Sequence, residues 1–286
     1  MLEVNQLSRQ LGGQTVLAAI SAQLQPGQVV ALVGKNGSGK TTLLHTLLGF
    51  ALPDSGQVTL WGQPAGECSG TVRQRIGFVP QQDDLLEQLT VAQHLRLFSQ
   101  FYPDWDNTLA QRLVVEWELP AKQPIARLSL GQRQKLSIVL AIAHHPALLV
   151  LDEPAASLDP LARRQLLTEL IEIAATEQTA ILYSSHLVGD LERIASHVWL
   201  LQQGRLTVNA ELDALKENIW RLQLAPGQQV PAIAGLRQLS LRSAPGYQTL
   251  TVQQLVAGAL PQLLAVLQPL HTEQLGLEEI FLELHA

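Results

Sequence analysis

Gly34-Lys35-Asn36-Gly37-Ser38-Gly39-Lys40-Thr41, directly after the apolar run Val29–Val33, is the stretch on which the reading of this chain turns. A GxxxxGK[ST] pattern between a strand and a helix is a phosphate cradle. Its glycines let the backbone curl until successive N–H groups point inward at phosphate oxygens. The helix expected over 41–48 presents its positive end to the same place. Lys40 is suited to neutralise the β- and γ-phosphates, and the Thr41 hydroxyl to ligate Mg2+, with Thr42 closing the binding stretch.

Working outward, short apolar runs alternate with segments of helical period. Residues 29–33, 147–151 and 179–183 read as buried strands. Residues 161–174 read as an amphipathic helix with Leu166, Leu167, Leu170, Ile171 and Ala174 on one stripe. Such alternation implies an α/β fold with a mostly parallel sheet covered by helices. Between 82 and 146 the strand signal disappears, which predicts a helical subdomain inserted into the sheet domain. Its caps are expected at Thr90, at Asn107 or Thr108, and at Ser129.

After Gly204 the pattern changes. Residues 218–224 and 236–252 alternate as strands around Ala225-Pro226-Gly227 and Ala244-Pro245-Gly246. Helices are expected over 255–267, Pro261 notwithstanding, and over Leu277–Leu284. The division predicted is a sheet domain over 1–215 and a small α+β domain over 216–286.

Composition narrows the class. Hydrophobic residues make up 47% of the chain and charged residues 15%, so a well-filled core is expected. The richest apolar stretch, 136–151, is broken by His144, His145 and Pro146, short of the roughly 20 residues a membrane span needs. The N-terminus has no signal-peptide pattern, and a cytoplasmic location is expected. Cys68 is the only cysteine, which rules out an internal disulfide. A net charge of −6 speaks against a broad nucleic-acid surface.

Ala147-Leu148-Leu149-Val150-Leu151-Asp152-Glu153 is the second chemical signal. An apolar strand that ends in two carboxylates is costly unless they are paired or functional. Asp152 would hold Mg2+, often through water, and Glu153 would orient and polarise an attacking water. A strand-end pair that merely reaches solvent is the plain alternative, and the phosphate loop weighs against it.

Together these segments resemble the ABC ATPase family, and four more stretches follow in family order. Gln81, in Phe78-Val79-Pro80-Gln81, resembles the glutamine that contacts Mg2+ and water and senses the membrane partner. Leu128-Ser129-Leu130-Gly131-Gln132 resembles the LSGGQ signature, Ser157-Leu158-Asp159 the D-loop, and His186 after Ser184-Ser185 the switch histidine. The likeness covers residues 2 to about 215. It implies a P-loop NTPase core that binds ATP with Mg2+. The roles implied are catalytic for Glu153, His186 and Gln81, and metal-binding for Thr41, Gln81 and Asp152. It also implies a second ATPase subunit, a homodimer, in which Ser129, Gly131 and Gln132 meet the γ-phosphate held by the other chain, with Asp159 linking the two sites.

Two residues depart from the family pattern. Leu130 replaces the signature's first glycine, and Leu11 stands where an aromatic usually stacks on adenine. The compact insertion disfavours the chromosome-maintenance and DNA-repair relatives, and the lone phosphate loop the translation-factor branch. Phe101-Tyr102-Pro103-Asp104-Trp105-Asp106, with Leu128-Ser129-Leu130-Gly131-Gln132 and Leu277-Glu278-Glu279-Ile280-Phe281, resembles bacterial ABC-2-type exporter subunits. That branch implies a separately encoded transmembrane subunit, no nucleic-acid partner, and a peripheral place on the inner face of the membrane. The rival class is a soluble ABC-type switch acting on a ribosome or a regulatory protein. Phe98, Phe101, Tyr102 and Trp105 read either as a groove for a membrane-protein helix or as the insertion's own core.

Overall fold

The computed structural model describes residues 1–284. In chain order it contains β1 (Leu2–Leu11), β2 (Gln14–Leu24), β3 (Val29–Val33), α1 (Lys40–Leu47), β4 (Ser55–Leu60), β5 (Gln63–Pro64) and α2 (Gly70–Arg73). Next come β6 (Ile76–Val79), α3 (Val91–Phe98), α4 (Asn107–Glu116), α5 (Leu130–Ile142), β7 (Leu148–Asp152), α6 (Pro160–Glu177) and β8 (Ala180–Ser185). They are followed by α7 (Val188–Leu191), β9 (His197–Gln202), β10 (Arg205–Glu211), α8 (Leu212–Glu217), β11 (Ile219–Leu224), β12 (Leu236–Ala244), β13 (Tyr247–Gln254), α9 (Ala259–Leu267), β14 (His271–Gln274) and α10 (Leu277–Leu284).

The central sheet has the order β10-β9-β3-β8-β7-β6, and the neighbours among β9, β3, β8, β7 and β6 run parallel. Every residue of β3, β7 and β8 is buried, which is why these strands read as unbroken apolar runs. On the core side, α1 sets Leu43, Leu44 and Leu47 among Leu32, Val150, Leu182 and Trp199. A second, antiparallel sheet, β2-β1-β4-β5, adds Leu2, Val4, Leu7, Leu17, Ile20 and Leu24 to the same core. The mostly parallel sheet is therefore as expected, while the antiparallel one was not foreseen.

Between β6 and β7 the chain is helical. Thr90 and Ser129 cap α3 and α5, each with a reciprocal capping box closed by the glutamine three residues on. The cap of α4 is Asp106, not Asn107 or Thr108. Its Oδ1 accepts the N–H groups of Thr108 at 2.7 Å and Leu109 at 2.9 Å. In α6 the buried stripe is Leu166, Leu167, Leu170 and Ile173, and Ile171 turns outward at 48% exposure, so it was misplaced on the stripe.

The chain divides into two compact units. The first holds Met1–Leu187 and Ile194–Asn209, the second Val188–Arg193 and Ala210–Ala286. In the second, α9 packs Leu260, Leu263 and Leu267 on Leu222, Leu224, Leu250 and Val252 of the sheet β12-β13-β11-β14. That helix begins at Ala259, after Gly258 in the left-handed region, rather than at 255. Pro261 thus falls in the first turn, where an N–H has no partner within the helix to lose. Inside the same unit, the Glu192 carboxylate pairs with Lys216 and accepts the Leu277 N–H at 3.0 Å. No helix among the described residues is long and apolar enough to cross a membrane.

Candidate nucleotide site

Register brings the chemical residues together. Val79 pairs with Leu151, Asp152 with Ser184, and Val33 with Ser185. The segments that leave β6, β7, β3 and β8 therefore emerge side by side at the carboxyl edge of the sheet, where open α/β sheets bind their ligands.

Beyond β3 the loop turns into α1 through Gly39, whose φ is 103°. A side chain there would be strained, and its Cβ would press on Val16 O and Leu17 Cδ2 at 3.1 Å. The Lys40 ammonium is buried, donates to Gly34 O at 2.8 Å and lies 3.5 Å from Glu153 Oε1. Glu153 is buried and has φ of 50°, a left-handed conformation uncommon for a side chain of its size. Its Oε2 accepts from His186 Nδ1 at 2.7 Å and from the His186 backbone N–H at 3.3 Å. A carboxylate only accepts, so this bond places the ring proton on Nδ1. One carboxylate is thus held between the loop lysine and the histidine.

Lys40 and Glu153 border a cleft of about 280 Å³. Asn36, Gly37, Gly39, Lys40, Thr41 and Thr42 form one wall, with Gln81, Glu153 and Val16 around them. Among the residues expected at the nucleotide, Gly34, Lys35, Ser38, Asp152 and His186 do not line it, nor do Ser129, Gly131, Gln132 and Asp159. Val16 was missed by sequence reasoning, since an aliphatic residue near the start of a strand carries no signal of its own.

Asp152 tests the fit of a cation. It is fully buried, and its Oδ1 accepts from the Ser184 hydroxyl at 2.6 Å. Its Oδ2 is buried with no hydrogen-bond partner among the described residues. A bare buried carboxylate oxygen is costly, and a hard cation removes that cost. With Thr41 and Gln81 on the cleft, the donor set is all oxygen and suits Mg2+.

The signature segment lies at another helix start. The Ser129 hydroxyl accepts the Gln132 N–H at 3.2 Å, and Leu130 stands 72% exposed at the first position of α5. A leucine here is accommodated because it points away from the core. Asp159 caps α6, accepting the N–H groups of Leu161 and Ala162, each at 2.9 Å. The Ala162 N–H foremost, then that of Leu161 and the charge of Lys135, hold its carboxyl below the usual carboxylate range. Leu11 ends β1 beside the Gly12-Gly13 hairpin, 46% exposed, and is not among the residues lining the cleft.

The aromatic stretch divides. Tyr102 stacks on buried His144 with ring centroids 3.9 Å apart, and Phe98 on buried His94 at 5.0 Å. Those two rings pack the insertion, while Phe101 is left 60% exposed.

The family profile described as ABC transporter matches residues 17–156. The ABC transporter ATP-binding protein YtrB of Bacillus subtilis (strain 168) is 34% identical over 225 residues, covering 79% of this chain and 77% of that protein. The Nod factor export ATP-binding protein I of Cupriavidus metallidurans is 33% identical over 210 residues, covering 72% of this chain and 69% of its own. A solved ATP-binding subunit of an ABC transporter superposes with a TM-score of 0.70 at 32% identity, over 76% of this chain and 92% of that one. An ATP-binding cassette solved as a dimer with ADP and Pi shares the fold, with a TM-score of 0.66 at 21% identity over 74% of this chain and 99% of that one.

Proposed function

Since this chain belongs to the ABC transporter family as an ATP-binding subunit and ATPase, we propose that it hydrolyses ATP to drive export through a separately encoded transmembrane subunit. The observation that carries the reading is Glu153 held between Lys40 and His186 at the edge of the phosphate loop. The loop 34–41 and Thr42 bind the phosphates, and Lys40 moves from the carboxylate to the β- and γ-oxygens. That transfer frees Glu153 to take a proton from the attacking water. His186 keeps the carboxylate oriented and reports loss of the γ-phosphate. Mg2+, held by Asp152 with Thr41 and Gln81, supplies charge neutralisation at the phosphates when bound.

The remaining site residues act in a homodimer. Ser129, Gly131 and Gln132 belong to a helix start whose own chain offers them no place on the cleft. A second subunit placed head to tail brings its γ-phosphate to that helix end, which favours anions. Asp159 then lies at the junction of the two sites. ATP closes this dimer, and hydrolysis removes the affinity difference that kept it closed. In the chain itself, the unit of Met1–Leu187 and Ile194–Asn209 carries the chemistry, and the accessory unit, which starts at Ala210 rather than at 216, leaves the nucleotide contacts to it.

Export as the direction is supported by the Nod factor export relatives. The chain would sit on the inner face of the membrane through its partner. An affinity-tagged chain, purified from detergent-solubilised membranes, is expected to bring down a polytopic membrane protein in fixed ratio. Recovery on ribosomes, with no membrane protein, would overturn the transport assignment in favour of a soluble switch.

Base selectivity is expected to be weak. An aromatic ring on a base is worth about 1–3 kcal/mol in nucleic-acid sites, and neither Leu11 nor Val16 offers an extended π-face. Phosphate contacts do not distinguish adenine from guanine. Affinities for ATP and GTP measured at matched Mg2+ should therefore lie within about tenfold. Selectivity above about a hundredfold, ~2.7 kcal/mol, would show that another group stacks on the base.

A further inference from the structure

Ser184 lies on β8, fully buried, and its neighbour across the parallel register is Asp152. Its hydroxyl makes two bonds within the site. As a donor it meets Asp152 Oδ1 at 2.6 Å, and as an acceptor it takes the Glu153 N–H at 3.0 Å. The Ser184 carbonyl lies 3.1 Å from that same N–H, so the strained Glu153 peptide is gripped by one residue through both its backbone and its side chain. A hydroxyl has one proton to give and lone pairs to receive with, which fits this double role.

Each bond has a consequence for a different carboxylate. The bond to Oδ1 fixes the rotation of Asp152 and leaves Oδ2, buried and without a partner among the described residues, as the oxygen available to a cation. The bond to the Glu153 N–H helps hold φ at 50°. From that backbone position the carboxylate reaches Lys40 and His186. We infer that Ser184 is a positioning residue for hydrolysis, setting the metal-binding carboxylate and the water-activating carboxylate with a single hydroxyl. It is fully buried and does not line the cleft, and so acts through Asp152 and Glu153. The inference rests on the ATP-site reading above.

The test compares wild type with Ser184→Ala, Ser184→Thr and Ser184→Cys. Mn2+ serves as the metal probe, its binding followed by electron paramagnetic resonance in the presence of a non-hydrolysable imido analogue of ATP. Ser184→Ala is expected to lower kcat roughly ten- to hundredfold, the effect of losing one hydrogen bond to a charged group. Its Mn2+ half-saturation should rise several-fold, with analogue affinity at saturating metal unchanged within about twofold. Ser184→Thr keeps the hydroxyl and should restore both readouts. If the alanine chain does not fold, threonine is set against cysteine, which keeps side-chain bulk but is a weak donor. Cysteine should then show the lower kcat and the weaker Mn2+ binding. A folded Ser184→Ala chain with wild-type kcat would overturn the inference, as would a fall in kcat without any change in Mn2+ binding. Equal behaviour of threonine and cysteine would do the same. Failure of the ATP-site reading itself would show separately, as wild type that does not bind the analogue.

Discussion

Glu153→Gln is expected to slow ATP turnover by at least about a hundredfold while leaving ATP binding intact, because general-base assistance is worth about 10²–10⁴ in rate. The substitution keeps shape and removes the negative charge. In the structure that charge is shared by Lys40 Nζ at 3.5 Å and His186 Nδ1 at 2.7 Å. An amide can still offer its oxygen to His186, but its NH2 group then faces the Lys40 ammonium, donor against donor. Lys40 loses its hold on residue 153 and is the more available to phosphate, so affinity has no reason to fall. Without cleavage, the ATP-closed dimer should accumulate and be seen by light scattering as a doubling of mass. Turnover within a few-fold of wild type would remove Glu153 from the chemistry.

What was legible in advance follows a physical rule. The phosphate loop is contiguous, and its glycines, lysine and threonine are demanded by the ligand rather than by distant packing. The buried parallel strands carry their burial in composition, and the Asp152-Glu153 pair stands out because charge is rare at the end of an apolar run. The N-terminal antiparallel sheet went unread because its alternation is broken where it matters. Register shifts fall between Val4 and Leu7, and Gln6 and Ala19 take left-handed φ near 50°, so the period of two is lost mid-strand.

Ser184 was invisible for another reason. A serine at the end of a strand is unremarkable until the register sets it opposite Asp152. The α4 cap was ambiguous because Asp106, Asn107 and Thr108 are all able to cap, and only the bonds to Thr108 and Leu109 decide among them. The grouping of Val188–Arg193 with Ala210–Ala286 depends on Glu192 meeting Lys216 and Leu277, partners far away in sequence.

Mixing Lys40→Ala chains with Ser129→Arg chains is expected to restore ATPase activity that neither possesses alone. Lys40→Ala removes the buried ammonium from the loop, leaving Gly34 O without its donor and Glu153 with His186 alone. Ser129→Arg destroys the capping box of α5 and fills the helix start with bulk and charge. Each homodimer then carries its defect at both sites. In a head-to-tail heterodimer each site takes its loop from one chain and its signature from the other. One site collects both defects, and the other collects neither. Random mixing makes about half of all dimers mixed, each with one intact site of two. Recovered activity near a quarter of wild type is therefore the expected plateau if one site suffices for turnover. The signature's place away from its own chain's cleft is the reason to expect the defects to separate in this way. Were Ser129 to serve the Lys40 of its own chain, every site in the mixture would remain broken and no activity would return. Mixed dimers, verified by pulling down one tag and detecting the other, with no recovery of turnover would count against the trans arrangement.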